Sequence, residues 1–300
     1  MENWLVRNGQ TARIREMLWH PLALAALNQP PTQAAAPVFA RVLAEMFGGN
    51  PRAAAIVLPT KPLHLMYAQP ARKYIEQHGG AVRSGVTARI RVANGVVASV
   101  RAVRPGVEEC GAPLVIAAVP WFAFADLFDE DAPLLAGIIR RARAMTSSPI
   151  VTVNVWFDRR VIDEPFVGLP GRAMQWVFDK QEAFGEDASH LSLVSSGTSA
   201  IGGLTNAELI AVAVEELFDA LPVAREARLL RATVVREPRA TFSLAPGQPA
   251  RPATETPVRG LLLAGDWIET ALPATIESAV RAGHRAADIA LGHRVIESFL

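Results

Sequence analysis

The chain has 300 residues, half of them apolar and a fifth charged, with 30 basic against 29 acidic side chains for a net charge of +1. That composition excludes a disordered chain, and it lacks the electrostatic footprint of a nucleic-acid binder. The single cysteine, Cys110, excludes an internal disulfide framework and a Cys-rich zinc site, and it fits a reducing compartment.

The most apolar stretch, Cys110 to Ala125, contains Pro113 and Pro120 and is shorter than the ~20 residues that a bilayer span needs. Residues Met1 to Gln10 lack the apolar core of a signal peptide. The expected location is therefore cytoplasmic, with peripheral contact to the inner face of the membrane left open.

The first third reads as mainly helical. Thr11 to Asn28 suggests one or two helices interrupted near Pro21. Ala36 to Phe47 carries Val38, Phe39, Val42, Leu43 and Met46 at helical spacing and stops at Gly48-Gly49. A short helix, Ala71 to His78, follows a proline-marked segment. The pattern then switches. Ala88 to Val103 alternates on both sides of Asn94-Gly95, the residues a type I′ hairpin turn demands. Leu114 to Val119 reads as a fully buried strand ending at Pro120.

Asp131 is a candidate cap for a helix carrying Leu134, Leu135, Ile138 and Ile139. Ile150 to Phe157, Met174 to Phe178 and Leu191 to Ser195 are strand candidates. Thr205 and Glu208 form a capping box ahead of a helix to about Leu221. Leu229 to Val235 reads as a strand and Thr241 to Pro257 as a proline-rich connection. This mixture argues an α/β or mixed α+β fold.

The informative segment is Gly260 to Leu291. A short apolar strand ends at Gly265, where the missing side chain allows a close backbone approach, and Asp266 follows at the strand's carboxyl end. Pro273 suits the first turn of a helix, whose free N–H groups at Ala274, Thr275 and Ile276 would face an electron-rich ligand edge. Ile276, Ala279, Val280, Gly283, Ala286, Ala287 and Ala290 make a small-residue face for packing, with Glu277 and Arg281 spaced as an ion pair opposite. An ordinary strand–loop–helix unit would show the same features.

The segment resembles the C-terminal flavin-binding motif of the FAD-dependent amine oxidase and phytoene desaturase superfamily. The resemblance implies that Gly265, Asp266, Thr275 and Ile276 contact FAD. Gly79 to Val82 with Val86 resembles the insert of that family's FAD domain, which places Val86 near the adenine. Leu114 to Pro120 resembles its returning strand, with Ala118 against the cofactor. Trp4 to Pro31, read with the ending Ala264 to Gly283, is most similar to the squalene-associated FAD-dependent desaturase-like branch, the hydroxysqualene dehydroxylases. The fold this implies has two domains and a discontinuous FAD domain. Residues 71–120 and 229–300 would be the FAD-binding parts, and 1–70 and 121–228 the substrate domain. The Gly-x-Gly-x-x-Gly turn of the family's first βαβ unit is not in the sequence. The chain is therefore expected to be a truncated member of the family; the alternatives are that a separate chain supplies that unit or that FAD binding has been lost.

The implied activity is flavin-mediated redox chemistry on an apolar isoprenoid, chiefly conversion of hydroxysqualene to squalene. Carotenoid desaturation and a non-catalytic binding subunit are the alternatives. Thr275 stands where amine oxidases carry an aromatic, and none of Lys61, Lys73 and Lys180 sits in a convincing strand, which departs from amine oxidation. Trp267 and Glu269 are candidates for the substrate pocket wall, against local packing for the first and a capping role for the second. No catalytic acid is identified, and the six histidines show no metal-ligand spacing.

Overall fold

The computed structural model describes residues 1–103, 108–128, 132–186, 188–197 and 201–297, with side chains as far as 292. In chain order the helices are α1 (Glu2–Arg7), α2 (Ala12–Ile14), α3 (His20–Leu27), α4 (Ala36–Met46), α5 (Gln69–Gln77), α6 (Trp121–Phe124), α7 (Ala136–Ala144), α8 (Gln181–Phe184), α9 (Asn206–Ala220) and α10 (Ile276–Glu297). The strands are β1 (Ala88–Ala93), β2 (Val96–Ala102), β3 (Glu108–Cys110), β4 (Val115–Ala117), β5 (Ser147–Phe157), β6 (Phe166–Gly168), β7 (Trp176–Asp179), β8 (Ser189–Ser196), β9 (Leu229–Phe242) and β10 (Leu261–Leu263).

The chain divides into two compact units. One comprises 1–82 and 147–245, the other 83–146 and 246–300. These limits differ from the expected 70, 120 and 228, for reasons of pairing. β9 runs antiparallel to β5 along its length, so 229–242 belongs to the first unit. α6 belongs to the second, where Phe124 packs on Trp267 at 5.6 Å and Phe128 bridges to Ile90.

In the first unit an antiparallel sheet has the order β6-β7-β8-β5-β9. Alternation decides its two faces. Val151, Val153, Val155 and Phe157 of β5 join Leu191 and Leu193 of β8 against Leu209, Ala213 and Leu217 of α9. α9 begins with the expected capping box, Thr205 and Glu208 each bonding the other's backbone. The second face carries Trp156, Trp176, Phe178 and Phe166, with His190 stacked on Trp156 at 4.2 Å.

The N-terminal helices are tied to this sheet through Asn28. It ends α3 at φ 47°, a left-handed conformation that Asn tolerates. Its amide donates to the Ser148 carbonyl and Thr241 Oγ1, both at 3.0 Å, and accepts from the Gly197 N–H at 2.8 Å. Pro21 does not interrupt the helix: it sits in the first turn of α3, where its missing N–H costs nothing, after a π-type turn at Arg15–Trp19. For the same reason helical structure before α5 starts at His64, ahead of Pro70. α1 was not expected, because six residues carry too little periodicity.

In the second unit β1, β2 and β3 form an antiparallel sheet, and Asn94 and Gly95 take φ of 52° and 76° in the hairpin turn. β4 pairs parallel with β10, Val115 opposite Leu261 and Ala117 opposite Leu263. The strand expected to be fully buried is shorter than Leu114–Val119, and Ile116 at its centre is 42% exposed. The parallel sheet formed by the described residues has two strands, so one side of β4 has no neighbour to cover it. Asp131, the expected helix cap, lies outside the described residues; α7 is preceded instead by a 3₁₀ turn at Pro133–Leu135.

Gly260 sets the approach of this pair. Its φ is 81°, and a Cβ there would lie 2.4 Å from the Pro113 carbonyl oxygen. Its own carbonyl accepts from the Val115 N–H at 2.7 Å. Gly260→Ala combines a conformation closed to L residues with backbone overlap, so it is expected to cost more than about 3 kcal/mol. Urea unfolding followed by circular dichroism measures this; a loss below about 1 kcal/mol would show that the strands can part without penalty.

Candidate functional site

The site expected from sequence gathers where the parallel strands end. The Ala264 N–H donates to the Ala117 carbonyl at 3.1 Å, which closes the ladder and brings Ala118 and Gly265 out beside one another. Ala118 is exposed there. Gly265 has φ 123°, outside the range that side chains favour, and a Cβ would touch the Trp267 ring at 3.4 Å. The glycine therefore lets the chain turn directly over a buried indole. Trp267 is fully buried, and its Nε1 donates to the Val119 carbonyl at 2.8 Å. Its role in this unit is packing, and it ties the loop after β10 to the loop after β4.

The loop from Asp266 to Thr275 is fixed by two devices. The first is Arg251, whose guanidinium donates to the Leu272 carbonyl at 2.7 Å and pairs with Glu269 at 3.2 Å. Its side chain is only 13% exposed. Glu269 also accepts from the Ala271 N–H at 2.6 Å, supporting the left-handed φ of 61° at Ala271. Glu269 thus acts as a loop brace. The second device is Ser278. Its hydroxyl donates to the Asp266 carbonyl at 3.1 Å and shares a 2.6 Å bond with Thr270 Oγ1.

The helix start differs from the expected one. α10 begins at Ile276, three residues after Pro273, and Thr275 is its N-cap, with Oγ1 accepting from the Ser278 N–H at 3.2 Å. Ala274 therefore precedes the helix, and Ile276 and Glu277 supply the N–H groups that lack intrahelical partners. The face of α10 that packs also differs. Ser278, Ala282 and Ala286 are buried, with Ala286 against Leu262 and Ala264, whereas Ile276 and Val280 are exposed. The Glu277–Arg281 pair forms at 2.7 Å.

Ala118, Gly265, Asp266, Thr275 and Ile276 are thus drawn together through Ser278 and the strand ladder. Val86 is not linked to them by these bonds. It is half-buried ahead of β1, where the neighbouring Thr87 carbonyl accepts from Val103. Sequence reasoning missed Arg251 and Ser278. The Thr-x-x-Ser spacing of a side-chain cap could have signalled Ser278; Arg251, alone in a proline-rich run, gave no signal.

Burial pushes the Asp266 carboxyl above the usual carboxylate range, outweighing the opposing pull of the Asp266 and Trp267 N–H groups and of Arg251. In the first unit, Lys180 stands after β7 with its ammonium 5.2 Å from the Phe178 ring, and burial lowers its pKa. Burial also lowers the pKa of His190, against the opposing effect of Glu186. Among the described residues no group of three His, Cys, Asp or Glu could hold a metal ion. No helix formed by the described residues is long and apolar enough to cross a membrane.

Comparison with known proteins puts this geometry in context. The model of the flavin containing amine oxidoreductases matches residues 12–291. A hydroxysqualene dehydroxylase from Sinorhizobium fredii is 30% identical over 276 residues, covering 91% of this chain and 62% of that protein. A 15-cis-phytoene desaturase from Solanum lycopersicum is 27% identical over 156 residues, 48% of this chain and 27% of its own. Among solved structures, an oxidoreductase from Methanosarcina mazei superposes with a TM-score of 0.70 at 16% identity, covering 96% of this chain and 67% of that one. That likeness is one of fold. The chain spans less than two thirds of the length of the hydroxysqualene dehydroxylases it matches.

Arg251→Ala removes the charge-assisted bonds to the Asp266 and Leu272 carbonyls and to Glu269, and is expected to destabilise the protein by about 2 kcal/mol, read by urea unfolding. For Asp266 the sign follows from its raised pKa. The folded state holds the proton more tightly than the unfolded chain, whose carboxyl titrates near ~3.9. The group therefore favours folding at low pH, and that contribution is lost as pH rises from the unfolded value through the folded one. Asp266→Asn is expected to melt above the parent at about pH 7, with the gap closing towards about pH 4. Calorimetry across that range decides it; a gap independent of pH would remove ionisation as the cause.

Proposed function

The chain belongs to the flavin containing amine oxidoreductase family, and on that premise we propose that it is the greater part of an FAD-dependent oxidoreductase acting on an apolar isoprenoid, converting hydroxysqualene to squalene. One observation carries the reading: Gly265, Asp266 and the start of α10 meet at the carboxyl ends of a parallel strand pair, in a chain matched along nearly its whole length by hydroxysqualene dehydroxylases. Ligands of open parallel sheets gather at such ends.

The residues at this end fit a flavin nucleotide. Gly265 presents backbone without a side chain, and the N–H groups of Ile276 and Glu277 offer donors to a carbonyl-bearing ring edge. Burial raises the pKa of the Asp266 carboxyl, whose oxygens would accept a hydrogen bond from a hydroxyl of the nucleotide. Arg251, Glu269 and Ser278 would hold these groups in place. When bound, reduced FAD supplies the hydride equivalent that replaces the substrate's hydroxyl, which departs with a proton as water. Trp267 and the apolar ends of β4 and β10 would exclude water from beneath the site.

The substrate argues for a place at the inner face of the membrane, reached peripherally. A second reading is carotenoid desaturation, favoured by the likeness of half the chain to a phytoene desaturase. To test both, the chain is co-expressed with the portion of a hydroxysqualene dehydroxylase that it does not match, and the visible spectrum and the products are recorded. Flavin absorption and squalene formed from hydroxysqualene with a reductant are expected. Flavin with desaturated phytoene instead would select the second reading. A folded assembly free of flavin would overturn both.

A further inference from the structure

The sheet of the first unit has a second face whose chemistry the site at Gly265 and Asp266 does not use. Register places its side chains in rows. Phe166, Phe178, Ser192 and Asn154 share one row, and Trp176, Val194 and Thr152 the next. Three rings cluster at the β6–β7 end. Phe166 and Trp176 are 5.9 Å apart, Phe166 and Phe178 6.0 Å, and Trp176 and Phe178 6.5 Å. All three are half-buried, so each keeps apolar surface towards solvent, whereas the aliphatic face of the same sheet is closed under α9.

The polar groups beside the rings are paired with one another. Ser192 Oγ donates to Asn154 Oδ1 at 2.5 Å, and the two ring nitrogens of His190 lie 3.2 Å from Asn154 and 3.2 Å from Glu186. Trp176 is different. Its Nε1 is shielded from solvent, and among the described residues no acceptor meets it. The six-membered ring of the indole lies over Gly168, where a Cβ would come within 3.3 Å of it. The half that carries the N–H is the half that Gly168 does not meet. An indole N–H removed from water normally finds a partner, because a bare donor forfeits a hydrogen bond. Aromatic surface around a single bare, shielded donor suits an apolar ligand that carries one oxygen.

We propose, on the substrate reading given above, that this face binds the hydroxyl-bearing hydrocarbon chain, with Trp176 Nε1 donating a hydrogen bond to the hydroxyl oxygen and Phe166 and Phe178 lying against the flanking carbons. Rotation of the half-exposed rings, a fast side-chain motion, would let the oxygen reach the donor. Trp176 is then the residue that tells substrate from product. The two differ at one carbon, which bears a hydroxyl in hydroxysqualene and a hydrogen in squalene. The bond exists before the reaction and is lost after it, so the product is held less tightly and leaves.

The full chain, with isotope-labelled tryptophan, is titrated with hydroxysqualene and with squalene in detergent micelles, and the indole N–H signals are followed by NMR. The Trp176 signal is assigned from its contacts with the Phe166 and Phe178 rings, so this arm needs no variant. Hydroxysqualene is expected to move that signal downfield and squalene to leave it in place. Quenching of tryptophan emission should give an affinity at least about tenfold higher for hydroxysqualene, and Trp176→Phe should bring the two within about threefold. Phe178→Leu, which alters contact with the carbons alone, should weaken both and keep their ratio. Equal movement of the Trp176 signal by the two hydrocarbons would sink the proposal, as would a preference for hydroxysqualene that survives Trp176→Phe, or binding of neither. Products of the co-expressed assembly decide the reaction, whereas the indole signal decides how the hydroxyl is recognised. Squalene formation with an unresponsive Trp176 would therefore reject this role alone and leave the reaction standing.

Discussion

The close approach of β4 to β10 governs the second unit. It depends on a position with no side chain: Gly260 lies so near Pro113 that a Cβ would overlap the carbonyl. Once the strands are set in register they end level, and the two loops that follow emerge side by side. The indole of Trp267 then fills the space under those loops and bonds to the Val119 carbonyl. The geometry at Gly265 and Asp266 is thus inherited from a backbone contact several residues upstream. A burial of this kind also explains the carboxyl of Asp266. Desolvation by the same packing that fixes its position disfavours its charge.

Much of this arrangement was legible in the sequence, and what was not has identifiable causes. Asn94-Gly95 and the Thr205–Glu208 box were readable because each encodes a local conformation with few alternatives. Gly265-Asp266 was readable as a strand end for the same reason. The packing face of α10 was not. The helix carries two apolar sectors, and periodicity alone cannot tell which of them meets the strands. Its start was misplaced because Pro273 and Thr275 are both legitimate start signals, and the Ser278 bond decides for Thr275. Arg251 was invisible, since its partners are mainly carbonyl and carboxylate groups brought close only by the fold.

The first unit solves a different problem with a different device. One sheet face is an aliphatic core under α9, while the other keeps aromatic rings and a buried imidazole whose pKa burial lowers. The N-terminal helices are held to that sheet by polar as well as apolar contact. Asn28 supplies the link, spending its amide and its left-handed backbone on three separate strand ends. A single side chain that satisfies several buried backbone groups is costly to replace, because each partner would be left without a hydrogen bond.

Both units are assembled from chain segments far apart in sequence. The sheet of the first cannot acquire its β9 edge until residue 242 has been made, and β4 waits for β10 at residue 261. During synthesis, the edges of β5 and β4 are therefore available long before their partners exist. Folding of this kind is governed by loop closure over long separations and is slow relative to local helix formation. The interval in which those edges stand open is when association with the wrong chain is easiest. Residues 229–263 close both units, so the nascent chain stays at risk until that stretch has been made.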